Sequence, residues 1–234
     1  MDLPEMDVSG VALDDSSTVY TTAQLLTDLK DIWRSERLAP ELLPHKQETV
    51  EMLLEQIGTV ESNLEKAKHV KDPFFLHCHK MEANRVRYML SNYLRCRLEK
   101  LENYALHYLQ LSAAERDFVM TTAEYKFLQR YQADTEELIE GSVRTFLPAN
   151  LAILDKWKEA PLKPRLESFV FVKPREQING LILGASDAPV SLEQHSQYLL
   201  RYSAVRKPVM ENKVILISPI SSASLQEIFL SSLF

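Results

Sequence analysis

The stretch that decides the fold is NRVRYMLSNYLRCRLEKLE, residues 84–102, which sets four arginines among apolar side chains at helical spacing. It holds no glycine or proline, and with the flanking pattern it predicts one helix over about residues 74–109. At about 100° per residue, its apolar side chains cover an arc of about 180°, wider than the roughly 100° stripe of a helix packed against one layer. We therefore expect this helix to be covered on two sides, by its own bundle and by a partner chain.

The four arginines of this helix do not share one face. Arg85 and Arg95 fall outside the apolar arc, whereas Arg87 and Arg97 fall inside it. A helix that grips nucleic acid would bring its cations together, so this scatter disfavours that role. We expect a buried or interfacial Arg97, paired with carboxylates or carbonyl oxygens. The alternatives are a stem that covers apolar surface while the head reaches water, or contact with nucleic acid.

The composition of the chain restricts its function. Its 234 residues are 45% hydrophobic and 26% charged, which is typical of one large or two small soluble domains. The net charge of −6 disfavours broad electrostatic binding to DNA or RNA as the main role. Two cysteines exclude a disulfide framework and favour a reducing compartment. No long apolar run and no secretory signal pattern occur, so no membrane association is expected.

Periodicity and proline-rich breaks predict a mainly α fold, an elongated helical bundle followed by a small β-rich domain. Four helices are predicted, from Thr21 to about Pro40 and over about residues 46–70, 74–109 and 113–145. Thr21 with Gln24, and Ser112 with Glu115, are predicted to form capping boxes at two of the helix starts. The predicted segments are a flexible acidic leader (1–20), a helical domain (21–146), a linker (147–166), a β-rich domain (167–217) and a C-terminal tail (218–234).

The β-rich domain is predicted from short apolar runs separated by glycine and proline. Its strands are expected in SFVFVK (168–173), INGLIL (178–183), QYLLRYS (197–203) and KVILI (213–217). Gly180, Gly184, Pro189 and Pro208 are interpreted as the breaks around them. A domain of about 50 residues is near the lower limit for independent stability, so we expect it to lean on other structure.

No motif in the chain predicts catalysis, a metal or a cofactor. His77, Cys78 and His79 are consecutive on a predicted helix, where neighbouring side chains diverge by about 100°, so they are not expected to share one ion. Cys96 lies mid-helix and is interpreted as a small apolar or boundary residue. The chain contains no G-x-S-x-G, P-loop or G-x-G-x-x-G motif. We therefore expect a protein that is not an enzyme.

The C-terminal tail becomes apolar after a polar start. Leu225, Ile228 and Phe229 share a face at helical spacing, and Ser224 with Glu227 provides an S-x-x-E start. Our hypothesis is that this segment docks as a short helix, with those three side chains as anchors. The alternative is a disordered extension.

Several separate motifs resemble one known family, the Sld-five subunit of the eukaryotic GINS complex. RVRYMLSNYLRCRLEKLE resembles the signature helix of that subunit, and ERLAPELLPHK (36–46) resembles the segment between its first two helices. FLPANL (146–151) resembles the helix exit into its linker. ESFVFVKPRE (167–176) and QYLLRYSAV (197–205) resemble its C-terminal β domain. The likeness covers about residues 21–217 in the family's order.

The resemblance implies a helical A domain followed by a β-rich B domain, in a tetramer with three Psf-named subunits. It further implies a non-catalytic scaffold in the nucleus, which joins the MCM helicase ring and a Cdc-named RecJ-like replication protein in the CMG helicase. Other replisome factors are further expected partners, and DNA would be met only indirectly. The residues expected at the subunit interface are Arg87, Tyr93, Arg97 and Leu101. The alternative is a nucleic-acid-binding protein that uses the small β domain.

Overall fold

The computed structural model describes residues 21–67, 72–143, 146–148, 161–183 and 189–218. The expected mainly α fold with a small C-terminal β domain is confirmed. The predicted leader, most of the predicted linker and the tail with Leu225, Ile228 and Phe229 lie outside these residues. The described helices are α1 Thr22–Leu38, α2 Gln47–Ala67, α3 Pro73–Asn103, α4 Ala105–Leu109, α5 Ala113–Val119, α6 Thr122–Ser142 and α7 Tyr202–Met210. The described strands are β1 Phe169–Pro174, β2 Ile178–Leu181, β3 Val190–Leu192, β4 Tyr198–Arg201 and β5 Val214–Ile217.

The long helix α3 organises the helical domain. α1 and α2 pack against its middle, around a core of Leu25, Leu29, Leu53, Ile57, Met89 and Leu90. α4 and α6 pack against its second half, around a core of Leu42, Leu101, Ala105, Tyr108, Met120 and Leu128. The predicted capping boxes at Thr21 and Ser112 are both present. The two cores therefore lie one after the other along α3.

Two of the predicted helices are each broken in the structure. The single helix expected over 113–145 is wrong, because the chain leaves helical geometry at Met120 and restarts after Thr121. Thr121 and Glu124 form a capping box there, which stabilises a new helix start. The helix expected over 74–109 is interrupted at Tyr104, whose φ of −122° and ψ of 31° depart from helical values. The first break places the Val119 carbonyl and Glu124 beside Arg97, and the second ends α3.

The C-terminal domain contains a three-stranded antiparallel sheet in the order β4-β1-β5. Its inner face packs against α7 and against the segment that joins α1 to α2. The shared core contains Ala39, Leu43, Val170, Val172, Tyr202, Val205, Val209, Val214 and Leu216. Because Ala39 and Leu43 belong to the helical domain, the small domain completes its core with residues from the bundle.

Three details of the C-terminal domain differ from the sequence prediction. The strand expected over 197–203 ends at Arg201, and the chain continues as α7, which sequence reasoning missed because Pro208 was interpreted as a break. Pro208 instead lies in the last turn of that helix. Strand β3 was also missed, and it pairs with β2 in a separate hairpin. Gly180 lies inside β2 with a φ of 77°, at an irregularity in the pairing.

Candidate functional site

The arginine singled out by the sequence lies at the centre of a buried ionic cluster. Arg97 is 1% exposed. Its Nε and Nη2 atoms donate to the two carboxylate oxygens of Glu124, at 2.6 and 3.0 Å. Its Nη1 atom donates to Glu36 at 3.2 Å and to the Leu43 carbonyl at 2.8 Å, and Nη2 also donates to the Val119 carbonyl at 2.8 Å. All five N–H donors of the guanidinium therefore have acceptors within the chain.

Lys100, one turn further along α3, extends the cluster. Its ammonium donates to the Glu36 carboxylate at 2.6 Å and to the Glu41 carbonyl at 2.8 Å, and it also contacts the Glu36 carbonyl. Two cations, Arg97 and Lys100, thus meet two carboxylates, Glu36 and Glu124. The balance matters because an unpaired buried charge costs several kcal/mol.

The pKa shifts follow from burial and pairing. Burial alone would lower the pKa of Arg97, but the hydrogen bond to Glu124 and the charge of Glu36 raise it above its ordinary value. Burial opposes the charged form of Glu124, yet the hydrogen bonds and charge of Arg97 hold its pKa below the ordinary value. Burial lowers the pKa of Lys100 against the effect of Glu36. Burial also raises the pKa of Tyr93 to about 12.

A second polar contact joins the bundle to the C-terminal domain. Glu41, in the segment between α1 and α2, accepts hydrogen bonds from the Tyr202 hydroxyl at 2.9 Å and from Arg206 Nε at 2.7 Å. Both donors belong to α7. Burial and the charge of Glu41 raise the pKa of Tyr202, so the hydroxyl keeps its proton. A third contact, between Arg175 and Asp31 of α1 at 2.6 Å, lies near the end of β1.

The end of α1 and the connection after it, residues 36–43, are therefore held from three directions. α3 holds Glu36 and Leu43, α4 holds the Leu42 amide through the Tyr108 hydroxyl at 2.9 Å, and α7 holds Glu41. These bonds fix the position of the C-terminal domain on the bundle. Its cations, Arg97, Lys100 and Arg206, are each paired with a carboxylate of the same chain. The arrangement therefore acts as a structural joint. We call it the ionic joint.

A groove of about 580 Å³ runs beside the ionic joint between α2, α3 and the start of α6. Tyr93, Leu94 and Arg97 of α3 lie among its lining residues, and Val50 and Leu54 of α2 line it from one side. Leu54 is 53% exposed and Leu94 is 39% exposed. The groove thus presents apolar side chains to solvent on the second side of α3.

The structure separates the four residues expected at a subunit interface. Tyr93 and Arg97 are buried in their own chain but line the groove. Leu101 is fully buried in the second core of the bundle. Arg87 is exposed and pairs with Glu61 of α2, so it is available to a partner chain, and its place at a subunit interface stays a prediction. The pairing expected of Arg97 is made within the chain, with partners that sequence reasoning missed.

The sequence contains partial signals for the carboxylates that pair with Arg97 and with α7. Thr121 and Glu124 follow the T-x-x-E pattern of a capping box, and Glu124 both caps α6 and pairs with Arg97. Glu36 and Glu41 lie in the ERLAPELLPHK segment, where flanking prolines suggested a loop. No local pattern connects Glu41 to Tyr202 and Arg206, which follow 161 and 165 residues later.

The described residues contain no group of three or more His, Cys, Asp and Glu side chains that could hold a metal ion. His77 and Cys78 are exposed on α3, and His79 contacts Glu82 at 3.4 Å. No helix among the described residues is long and apolar enough to cross a membrane.

Comparison with known families defines the class of protein. A family model described as the GINS complex protein helical bundle domain matches residues 47–142, which span α2 to α6. A second model, described as the C-terminus of the DNA replication complex GINS protein SLD5, matches residues 164–217. The helical bundle and the small C-terminal domain of this chain are thus both matched by models of GINS proteins.

Individual relatives identify the family. DNA replication complex GINS protein SLD5 of Xenopus laevis is 34% identical over 221 residues, covering 91% of this chain and 99% of the relative. The human protein of the same name is 34% identical over 223 residues, with the same coverage. The Arabidopsis thaliana protein is 29% identical over 213 residues, covering 86% of this chain and 96% of the relative. This chain belongs to the SLD5 family of GINS proteins.

Proposed function

We propose that this chain is a non-catalytic scaffold subunit of a GINS tetramer that acts in the nucleus. Its partners in the tetramer are three Psf-named subunits, and the tetramer joins the MCM ring and a Cdc-named RecJ-like protein in the replicative helicase. The observation that carries the proposal is the match of both domains to SLD5 models, in the same order as in the relatives. The ionic joint supports it, because a scaffold must hold its two domains in a fixed arrangement.

The groove between α2, α3 and α6 is the surface that we assign to a partner subunit. Its apolar side chains, with Leu54 and Leu94 exposed, suit the apolar face of an amphipathic helix. In this assignment Tyr93 and Arg97 form part of the floor of the groove, and they contact the partner subunit only there. Arg87 contacts a partner from the exposed surface of α3, and Leu101 acts indirectly by fixing the position of that helix.

Co-expression with candidate GINS subunits, followed by native mass measurement, tests the scaffold proposal. We expect one heterotetramer with one copy of this chain. Leu54→Glu or Leu94→Glu should weaken assembly at least tenfold, because a charge would be buried against a partner's apolar face. Leu138→Glu is the matched control, since Leu138 is exposed near the far end of α6. Assembly that is unchanged in both groove variants would refute the assignment of this surface.

The alternative role, nucleic-acid binding through the β domain, receives less support as the main function. Two of the basic residues that suggested it serve the fold, since Arg175 pairs with Asp31 and Arg206 with Glu41. The whole chain is acidic, with a net charge of −6.

A further inference from the structure

The three-stranded sheet of the C-terminal domain has a second face that points away from the shared core. Alternate residues of a strand point to opposite faces, so the residues between the core positions of β1, β4 and β5 lie on this second face. Five of them are apolar, and we call these five the outer face: Phe169, Phe171, Leu199, Ile215 and Ile217. Phe169 is 63% exposed and Leu199 is 54% exposed, whereas the other three are half-buried.

The outer face differs from the solvated face of an ordinary antiparallel sheet. Such a face usually carries polar side chains, because water covers it. Here Leu199, Phe171 and Ile217 form one apolar row across all three strands. An apolar patch of this kind, rimmed by polar residues, is typical of a surface that another apolar segment covers.

Two cations lie on the same side of the sheet, and neither requires an anionic ligand. The guanidinium carbon of Arg201 lies 5.8 Å from the centre of the Phe169 ring, and its Nη1 atom lies 3.6 Å from a Glu167 carboxylate oxygen. Lys173 is half-buried, and a lysine stem can cover apolar surface while its ammonium group reaches water. The apolar side chains therefore determine which kind of segment fits this face.

The path of the chain leads directly to the outer face. Val214 pairs with Pro174 and Ile217 pairs with Phe171, so the chain leaves β5 in the direction of Phe169. Ile217 itself belongs to the outer face. The residues that follow it thus start at the edge of the apolar row and head toward its most exposed ring.

The sequence after β5 has the composition of a tether followed by an apolar segment. Residues 218–224 are SPISSAS, and residues 225–234 contain six apolar side chains and one charged one. The seven residues of the tether can span about 23 Å when extended. The three strands of the sheet are together only about 10 Å across, so the apolar segment can reach every residue of the outer face.

We propose that residues 225–234 fold back on the outer face as a short amphipathic helix. Leu225, Ile228 and Phe229 share one side of that helix and lie against the sheet. A helix of this length is marginal in water, so the sheet must stabilise it. A short tether gives the segment an effective concentration on the order of millimolar, so a weak contact is sufficient. This inference goes beyond the scaffold role and does not depend on the groove.

Hydrogen exchange of the full-length chain, followed by mass spectrometry, tests the proposal. The amides of residues 225–234 should exchange at least about tenfold more slowly than in a free peptide of residues 219–234. Leu199→Glu places a charge on the outer face and should return these amides to the rate of the free peptide. Phe169→Ser provides a second change on the same face and should act in the same direction. Both residues are exposed, so circular dichroism should show that each variant is folded.

A matched pair of substitutions tests the side of the helix that docks. Leu225→Ser should abolish the protection, whereas Leu230→Ser should retain most of it, because residue 230 lies about 140° from residue 225 around a helix. Leu138→Glu, on an exposed position of α6, is the control for the face variants and should leave the protection unchanged.

Several outcomes would overturn the proposal. One is exchange of residues 225–234 in the full-length chain at the rate of the free peptide. Another is protection that survives both Leu199→Glu and Phe169→Ser, since the segment would then lie elsewhere. Protection that disappears on dilution would indicate a second copy as the cover, and protection that requires added GINS subunits would indicate a partner. Equal losses in Leu225→Ser and Leu230→Ser would contradict the assigned anchors.

Discussion

Replacing Arg97 with methionine is the most direct test of the ionic joint. Methionine keeps much of the side-chain length but removes the charge and all five donors. Glu124 would then stay largely buried without its guanidinium partner, and the carbonyls of Leu43 and Val119 would each lose a donor. Lys100 would still pair with Glu36.

The magnitude of the loss follows from these stranded groups. Removing one partner of a buried ion pair costs about 3–5 kcal/mol, and a buried carbonyl left without a donor costs about 1–3 kcal/mol. The two penalties overlap, because part of the first already reflects unmet hydrogen bonds. We therefore expect the free energy of unfolding to fall by about 4 kcal/mol, a large part of the roughly 5–15 kcal/mol of a typical domain.

Urea denaturation of the full chain, followed by far-ultraviolet circular dichroism, measures this loss. The matched control is Arg87→Met, which removes an exposed arginine paired with Glu61 on the same helix and should cost less than about 1 kcal/mol. Adding Glu124→Gln to Arg97→Met should recover part of the loss, because the stranded carboxylate is then neutral. If Arg97→Met and Arg87→Met differ by less than about 1 kcal/mol, the cluster does not stabilise the fold as argued.

Three further predictions concern acid, the second polar contact and the shared core. The pKa of Glu124 is held below its ordinary value of 4.5, so its stabilisation is present above that pH and is lost as the pH falls through the lower folded value. Urea denaturation over this range should thus show a smaller loss in Glu124→Gln than in the natural chain. Tyr202→Phe removes one of two donors to the buried Glu41 and should cost about 1–3 kcal/mol, measured by thermal denaturation against the natural chain. Leu216→Ala should cost about 2–5 kcal/mol, and a single transition seen by both circular dichroism and tryptophan fluorescence is expected. Two separate transitions would mean that the domains unfold independently.

The sequence predicted the burial of Arg97 because the position of a residue on a helix follows from spacing alone. Spacing alone does not decide burial, because Arg87 lies inside the same arc and is exposed beside Glu61. Periodicity reports the direction of a side chain and says nothing about where the neighbouring helices end. The centre of the buried face of α3 could therefore be predicted, whereas the edges of that face could not.

The partners of Arg97 and the domain contact could not be predicted for a different reason. Glu36 lies in the last turn of α1, and Glu41 lies in the short connection that follows. The prolines of that connection explain it locally, so nothing marks the two carboxylates as buried. Helix α7 was missed because a proline inside a helical pattern usually ends the helix. In the structure, Pro208 lies in the last turn of α7. Contacts between residues more than 150 positions apart depend on how two domains meet, which no local pattern contains.

The position of Glu41 has a consequence for how the chain is made. A ribosome synthesises Glu41 early, but Tyr202 and Arg206 are added 161 and 165 residues later. At about 5–20 residues per second, this interval lasts roughly 10–30 s. Until then the segment between the first two helices lacks the residues that complete its core, and Ala39 and Leu43 have no sheet to cover them. A nascent chain that pauses after the helical bundle is therefore exposed to aggregation at the very segment that later fixes the two domains together.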